Sequence, residues 1–447
     1  MSLEKFFNPK SVCIIGASRE KNKIGHIILK NFVDGFNGKI YPVNPKAKKI
    51  LGLKCYKSVS EIKNKVDLGV VCVPAKIVPF VLEECGKKKI KNVIIITAGF
   101  KEVGNFKLEN AVKEIIKKYK IRTLGPNCIG VYDPHTGVDT IFNPKSRLGR
   151  PEMGSIGFVS QSGATMSIIL DWMSLKNYKI SKAISYGNAT DVDESDLIEY
   201  LSKDKKTKVI CLYVEGLKDG KKFLRVAKKV KKPIIALKGG KTKGGASSAK
   251  THTGSIAGKS EIFSGAFKQA NIIEAQDLEE VFDLARILSE QPLPKGKKVQ
   301  IITDGGGFGV LTSDWIEKKG LEIAKLSDKN IRKLRKIIPP HATTKGVIDL
   351  TGDVTSDMYE LSVKLAVEDK NVDMIALILL FQPPGIKEDV VDKILKIKSK
   401  KPIVIISTGG KFTEKLKRKL EENGMPCFTS PMRGVEALKA LYKYSKL

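Results

Sequence analysis

One histidine stands in a loop of small and hydroxylated residues. The stretch Ser247–Gly258 reads S-S-A-K-T-H-T-G-S-I-A-G and carries His252, one of four histidines in the chain. Gly254 follows it closely, and Gly244 and Gly245 stand just before the stretch. Small neighbours let a bulky anion approach an imidazole, and loop N–H groups can receive it. A histidine that carries a phosphoryl group needs both. The competing reading is a polar surface loop that happens to contain a histidine, and this stretch alone does not separate the two.

Further polar loops follow runs of β-branched apolar residues, where open α/β sheets bind ligands. After Val12–Ile15 come Gly16, Ala17, Ser18 and Arg19, then Lys23 and Gly25. Pro42, Val43, Asn44, Pro45 and Lys46 close the second run, Val73 and Pro74 the third, and Thr97, Ala98, Gly99 and Phe100 the fourth. The four loops should share one sheet edge, with a helix N-terminus ready for an anion. An NAD site needs an acidic residue after the second strand to hold the ribose, and Lys46 stands there instead. That disfavours NAD and suits a nucleotide with an extra phosphate, such as NADP or coenzyme A. An ordinary tight strand-to-helix turn remains the alternative for Gly16–Arg19, since G-x-G-x-x-G is not met.

Two more loops look phosphate-directed. One is Gly125-Pro126-Asn127-Cys128-Ile129-Gly130, the other Ser160-Gln161-Ser162-Gly163-Ala164. Both are expected to put free backbone N–H groups at a helix start. A G-x-S-x-G nucleophile elbow fails at Ser162, because Ser160 stands where the first glycine is required. Glu215 ends the run Val209–Val214 and could orient an imidazole by accepting its N–H; equally, it could cap a helix near Gly216–Asp219. Thr303-Asp304-Gly305-Gly306-Gly307-Phe308-Gly309 has three glycines after a strand, so something must approach that backbone, either a nucleotide or a neighbouring loop.

The elements that position these loops recur as strand then helix. Continuous apolar runs imply strands buried on both faces, hence parallel sheets. A first series holds Val12–Ile15, Ile40–Val43, Leu68–Val73, Val93–Thr97 and Arg122–Leu124. The Pro/Gly-punctuated stretch Tyr132–Gly154 reads as a linker. A second series runs through Ile156–Val159, Lys182–Ser185, Val209–Val214, Ile234–Leu237, a helix at Ser260–Ala270 and a strand at Ile272–Glu274. Gln291–Gly296 marks a boundary, and a third series holds Val299–Thr303, Met374–Phe381, Ile403–Ser407 and Pro426–Phe428. The expected domains are 1–130, 150–291 and 297–447.

Composition narrows the function classes. At 447 residues and 42% hydrophobic, the chain holds ordinary cores. It lacks the apolar run of ~20 residues that spans a bilayer and the layout of a signal peptide, so no membrane role and a cytoplasmic location are expected. Seven scattered cysteines without C-x-x-C read as reduced thiols rather than a disulfide or metal framework. The net charge of +32 raises nucleic acid as a partner. But the lysines spread along helix faces, as in Glu114–Lys120, Lys228–Lys232 and Lys393–Lys401, and no recognition motif accompanies them. The charge suits polyanionic small molecules or an acidic partner subunit, and no nucleic-acid partner is expected.

Together these motifs resemble one family, the alpha part of the ADP-forming acyl-CoA synthetases (acetate–CoA ligase, ADP-forming), related to the succinyl-CoA synthetase alpha subunit. The resemblance rests on G-A-S-R (16–19), P-V-N-P-K (42–46), V-P-A (73–75), I-T-A-G-F (96–100), G-P-N-C-I-G (125–130), S-Q-S-G (160–163), Y-G-N-A-T-D-V-D (186–193), Y-V-E-G (213–216) and T-H-T-G-S-I-A-G (251–258), in that order across almost the whole chain.

The resemblance implies an α/β chain: a Rossmann-like coenzyme A-binding domain followed by two flavodoxin-like parallel-sheet domains. It implies the reaction acyl-CoA + ADP + phosphate ⇌ acid + ATP + CoA, through an acyl phosphate and a phosphohistidine at His252. Glu215 would hold the second imidazole nitrogen. Gly125, Asn127, Cys128, Ser162 and Gly163 would form the phosphate site. Gly16, Ala17, Ser18, Arg19, Lys23, Pro42, Asn44, Lys46, Val73, Pro74, Thr97, Ala98 and Gly99 would bind coenzyme A.

Two departures stand out. Ala164-Thr165-Met166-Ser167 lacks the tyrosine of succinyl-specific relatives, which argues against succinate, and Lys345-Gly346 replaces the usual N-P before Val347–Gly352. No ATP-grasp module is found, so ADP/ATP with Mg2+ is expected on a beta subunit or fused beta domain, in a hetero-oligomer. A non-catalytic CoA-responsive regulator and a protein acetyltransferase subunit are the alternatives. The acid itself is left open.

Overall fold

The computed structural model describes residues 3–245 and 260–447. His252 and the stretch Ser247–Gly258 lie outside the described residues. The described chain forms two compact units, 1–278 and 279–447, with two large sheets in the first and one in the second.

The first sheet takes strands whose residues are nearly all apolar and buried, so both faces are covered by helices. Its strands are β1 (Ser11–Ile15), β2 (Lys39–Val43), β5 (Leu68–Val71), β6 (Asn92–Ile95) and β7 (Arg122–Leu124), with a hairpin of β3 (Lys49–Ile50) and β4 (Leu53–Lys54) set apart. The order is β2-β1-β5-β6-β7, all parallel. Helices α1 (Ile24–Gly35), α2 (Val78–Lys87) and α3 (Phe106–Tyr119) connect them. The chain leaves β1 first to one side and then to the other, so a crevice opens beyond the carboxyl ends of β1 and β5.

The second sheet contains β8 (Gly130–Asp133), β9 (Val138–Asp139), β10 (Met153–Ser160), β11 (Ile180–Ser185), β12 (Val209–Val214), β13 (Ile234–Lys238) and β14 (Ile273–Glu274). The order is β14-β13-β12-β10-β11-β8-β9. Here the structure corrects the linker expected at Tyr132–Gly154. β8 pairs antiparallel with β11 and β9 antiparallel with β8, extending the sheet edge. The stretch is held by buried ion pairs that leave no periodic signature: Arg150 Nε lies 2.9 Å from Asp139, and Lys182 Nζ lies 3.3 Å from Asp133. Helices α4 (Gly163–Leu175), α5 (Glu194–Lys203) and α6 (Gly220–Ala227) cover this sheet. One hydrophobic core runs from Phe6 and Phe32 through Val159 and Tyr186 to Phe267.

In the second unit, β15 (Lys298–Thr303), β16 (Glu322–Ile323), β17 (Ile348–Asp349), β18 (Met374–Ile378), β19 (Ile403–Ile406) and β20 (Cys427–Phe428) form a parallel sheet of order β16-β15-β18-β19-β20, with β17 also paired to β15. The strands expected to reach Val73, Thr97 and Phe381 stop at Val71, Ile95 and Ile378, because the chain turns away before the apolar run ends. Lys228–Lys232 follows α6 rather than lying on it, and the helix at Asp389–Leu395 ends before Lys401. Among the described residues no helix is long and apolar enough to cross a membrane.

Candidate active site

The first unit holds a cavity of about 1340 Å³. Gly16, Ser18, Lys23, Asn44, Lys46, Val73, Pro74, Thr97 and Ala98 line it from the first sheet, and Asn127, Cys128, Ser162 and Gly163 from the loops beyond. Ala17, Arg19, Pro42, Gly99, Gly125 and Glu215 are not part of that lining among the described residues. Ala17 is buried, and its carbonyl accepts a hydrogen bond from Asn44 Nδ2 at 2.7 Å, so it acts through its backbone.

Several expected ligand groups turn out to brace the protein. Asn44 Oδ1 accepts from Lys46 N–H at 2.8 Å, so both ends of its amide are engaged within the protein. Thr97 Oγ1 donates to Val73 C=O at 2.7 Å. Gly16 has φ +95°, and a Cβ there would lie 2.6 Å from Cys72 O; at Gly25 it would lie 2.0 Å from Gly16 O. Glycine is therefore needed at both because backbones meet there: the turn meets the chain just after β5 at Gly16, and α1 meets the turn at Gly25.

The cavity charge suits a polyanion. Among the described residues Lys23, Lys46, Lys57 and Lys101 line it, with Glu84 as the one carboxylate. Burial holds the Lys101 ammonium below the usual lysine pKa, partly offset by Glu109. Ile77 and Phe80 form an apolar shelf, and Phe80 is 73% exposed. Sequence reasoning missed Lys57 and Phe80. The available signal was a large aromatic on the polar side of α2.

At the far wall stands α4. Ser162 is its N-cap, with Oγ accepting from Thr165 N–H at 3.2 Å. Asn127 has φ +58°, and its N–H donates to Thr97 C=O at 2.9 Å. The expectation that the Gly125–Gly130 loop offers free N–H groups at a helix start is thus corrected: the loop runs from β7 into β8, the Asn127 proton is engaged, and the side chain is what Asn127 can present. Burial pushes the Cys128 thiol up to about 12, so it stays neutral.

Glu215 is 7% exposed at the end of β12. Tyr213 Oη donates to its Oε1 at 3.3 Å. The helix-cap alternative fails, because α6 begins at Gly220 and is capped by Asp219, which accepts from Lys222 N–H. Beside it, burial lowers the Lys238 pKa, while Glu215 raises it. In the sequence Gln161 stands out only as a member of the Ser160–Ala164 loop. Its Oε1 accepts from the N–H groups of Glu215 at 2.8 Å and Gly216 at 3.1 Å. The ends of β10 and β12, the second sheet's switch point, are thereby tied together.

In the second unit Gly305 caps the helix Gly306–Lys318. A Cβ at Gly305 would lie 2.5 Å from Leu380 Cδ1, and one at Gly306 would lie 2.8 Å from Asp349 Oδ2. Neighbouring side chains therefore account for these two glycines. Burial pushes the Asp304 carboxyl up to about 6.

Both sheets of the first unit thus bring anion-ready loops to one lysine-rich cavity, the layout of a protein that handles a large phosphorylated ligand. Three family models match in succession: a CoA binding domain over residues 10–134, a succinyl-CoA ligase like flavodoxin domain over 153–288, and a ligase-CoA domain over 299–447. The acetate–CoA ligase (ADP-forming) of Methanocaldococcus jannaschii is 45% identical over 98% of this chain, which spans 62% of that protein's length. The alpha subunit of acetate–CoA ligase (ADP-forming) II of Pyrococcus furiosus is 40% identical, over 99% of this chain and 98% of its own. The chain belongs to the family of ADP-forming acetate–CoA ligases, matching their alpha subunits along its length. A solved structure of the dinucleotide forming acetyl-coenzyme A synthetase 1 of Ca. Korarchaeum cryptofilum, in complex with phosphate and ADP, superposes with a TM-score of 0.94 at 36% identity, covering 100% of this chain and 97% of that one.

Proposed function

We propose that the chain is the alpha component of an ADP-forming acyl-CoA synthetase, with three functional domains at 1–130, 150–291 and 297–447. The overall reaction is acyl-CoA + ADP + phosphate ⇌ carboxylic acid + ATP + CoA. The observation that carries this reading is the shared cavity: four lysines line it together with the α4 N-terminus and Asn127.

The cavity volume and its lysines fit coenzyme A. Lys23, Lys46 and Lys57 pair with its phosphates, and Ile77 and Phe80 cover its flat apolar part. Coenzyme A supplies the thiolate that leaves the thioester. A phosphate oxygen, held by Gly163 N–H and the Asn127 amide, bonds to the acyl carbon as the C–S bond breaks. His252 then takes the phosphoryl group through a ring nitrogen, and the P–O bond to the acid breaks, releasing the carboxylate. Glu215 accepts the other ring N–H and balances the charge of the phosphohistidine. ADP, with Mg2+, receives the phosphoryl group on an ATP-grasp beta part, as a separate subunit or a fused domain in a hetero-oligomer. The relatives named above are ligases or synthetases, which leaves the regulatory reading without support.

The test is phosphoryl labelling. With a beta part present, labelled ATP, or labelled phosphate together with acetyl-CoA, should mark this chain on His252, and His252→Asn should abolish the mark. Label retained in that variant would overturn the assignment.

A further inference from the structure

The segment Tyr186–Asp193 carries the motif Y-G-N-A-T-D-V-D. It leaves β11 and lies along the chain that follows β6 and β7. Val192 N–H donates to Thr123 C=O at 3.2 Å, Thr190 N–H to Gly125 C=O at 3.2 Å, and Asn188 N–H to Pro126 C=O at 3.0 Å. Asp191 Oδ2 accepts from Thr123 N–H at 2.8 Å and Arg122 Nε at 2.9 Å. Gly187 has φ +53°, and a Cβ there would lie 2.2 Å from Asn127 O, so only glycine fits. Lys218 Nζ donates to Ala189 C=O at 2.8 Å and closes the far side.

Within this clip the Asn188 side chain has one orientation. Its Nδ2 donates to Glu102 Oε2 at 2.7 Å and to Glu109 Oε2 at 3.1 Å. Both partners are carboxylates and can only accept, so the amide nitrogen must face them. Its Oδ1 therefore faces the other way, where Asn127 Nδ2 lies at 3.4 Å. Glu109 is 1% exposed and is itself fixed by Thr190 Oγ1 at 2.9 Å and Lys101 N–H at 3.1 Å. Lys101 Nζ donates to Asn188 C=O at 2.6 Å. The orientation thus passes from the carboxylates of Glu102 and buried Glu109 to Asn188 and from Asn188 to Asn127, whose backbone N–H is already engaged.

We propose that Asn188 is a positioning residue for acyl transfer: held by Glu102 and Glu109, it fixes the amide plane of Asn127 so that this side chain meets the attacking phosphate. The proposal rests on the ligase reading above. Asn188 itself borders the cavity, but both ends of its amide are engaged by Glu102, Glu109 and Asn127, so it acts through Asn127 and the two should not contribute independently.

The test is arsenolysis of acetyl-CoA by the full chain with its beta part, read as release of the coenzyme A thiol. Arsenate takes the place of phosphate, and the acyl arsenate hydrolyses in water. Asn188→Ala should lower kcat about tenfold, as expected of a group displaced by a fraction of an ångström. Coenzyme A affinity, measured by calorimetry, should stay within about twofold, because Lys23, Lys46 and Lys57, which pair with its phosphates, are untouched. In an Asn127→Ala background the same substitution should cause no further loss. A further loss of equal size there, or unchanged turnover of Asn188→Ala, overturns the proposal.

Glu102→Gln supplies a second variant should Asn188→Ala not fold. Glu102 lies outside the cavity lining, and its Oε1 also accepts from Phe100 N–H at 3.1 Å. A Gln oxygen can keep that bond, and its NH2 then meets the Asn188 NH2, donor against donor. A loss of turnover in the same direction supports the proposal, and unchanged turnover overturns it. Absence of arsenolysis in the unmodified enzyme overturns the ligase reading and this proposal with it. Unchanged turnover in the variants, with arsenolysis present in the unmodified enzyme, overturns the proposal alone.

Discussion

Gln161 Oε1 accepts hydrogen bonds from two successive backbone N–H groups, those of Glu215 and Gly216, at 2.8 and 3.1 Å. One side-chain oxygen thereby sets where the Glu215 carboxylate begins, relative to the cap of α4. Gln161→Ala would leave two buried donors unmatched, at a cost on the order of 2 kcal/mol. The denaturant midpoint should fall, and phosphohistidine formation should slow more than in a surface control of equal stability. Equal slowing in both would reduce Gln161 to a structural brace.

Glu215→Gln keeps the backbone contacts with Gln161 and removes the charge. Formation of phosphohistidine should slow by about 10²-fold, the usual reach of a charged partner to a reacting imidazole. Coenzyme A affinity should change little, since Glu215 is not part of the described cavity lining. Single-turnover labelling beside calorimetric titration separates the two, and an unchanged labelling rate would remove Glu215 from the phosphoryl step.

Gly25→Ala tests the meeting of turn and helix. Its Cβ would lie 2.0 Å from Gly16 O, so α1 must shift away from the loop that presents Ser18 and Lys23. Coenzyme A affinity should fall at least about tenfold, with stability lowered by roughly 1–3 kcal/mol. Titration at matched folded fraction reads the first effect. Affinity equal to that of the unmodified chain would mean the loop takes no part in binding.

Burial lifts the Glu194 carboxyl, ordinarily near 4.5, up to about 7. The folded state then holds a proton that the unfolded state has released. The stability linked to this group is fully present below about pH 4.5 and is lost as pH rises through about 7. Its size is on the order of 3 kcal/mol. Glu194→Gln should therefore gain stability over the parent at pH 8 and little at pH 4.5. Denaturant melts at the two values check this, and an equal gain at both would point to packing instead.

Much of the site was legible in the sequence because chemistry in open α/β sheets gathers just past strand ends, and apolar β-branched runs mark those ends locally. The loops at Gly16, Asn44, Val73, Thr97, Asn127 and Ser162 were found in this way, and all reach one cavity. What each residue does there was less legible. Asn44 and Thr97 look like ligand groups in a list of polar loop residues, yet their hydrogen bonds go to Ala17 and Val73. The partners of a side chain depend on chain crossings that one-dimensional spacing does not record.

The sequence by itself determined the alternation of strand and helix along the three series, the mainly parallel character of the sheets and the loops able to meet an anion. All of these follow from local periodicity and backbone sterics. Only the tertiary structure decided the strand order. Parallel pairing of Ser160 with Tyr213 brings Gln161 to Glu215, and the antiparallel edge of β8 and β9 turned an apparent linker into sheet. It also decided that Asn188 faces Asn127 across 61 residues of chain. The physical reason is that these contacts join distant segments, and their free energy appears only when whole strands and helices pack together.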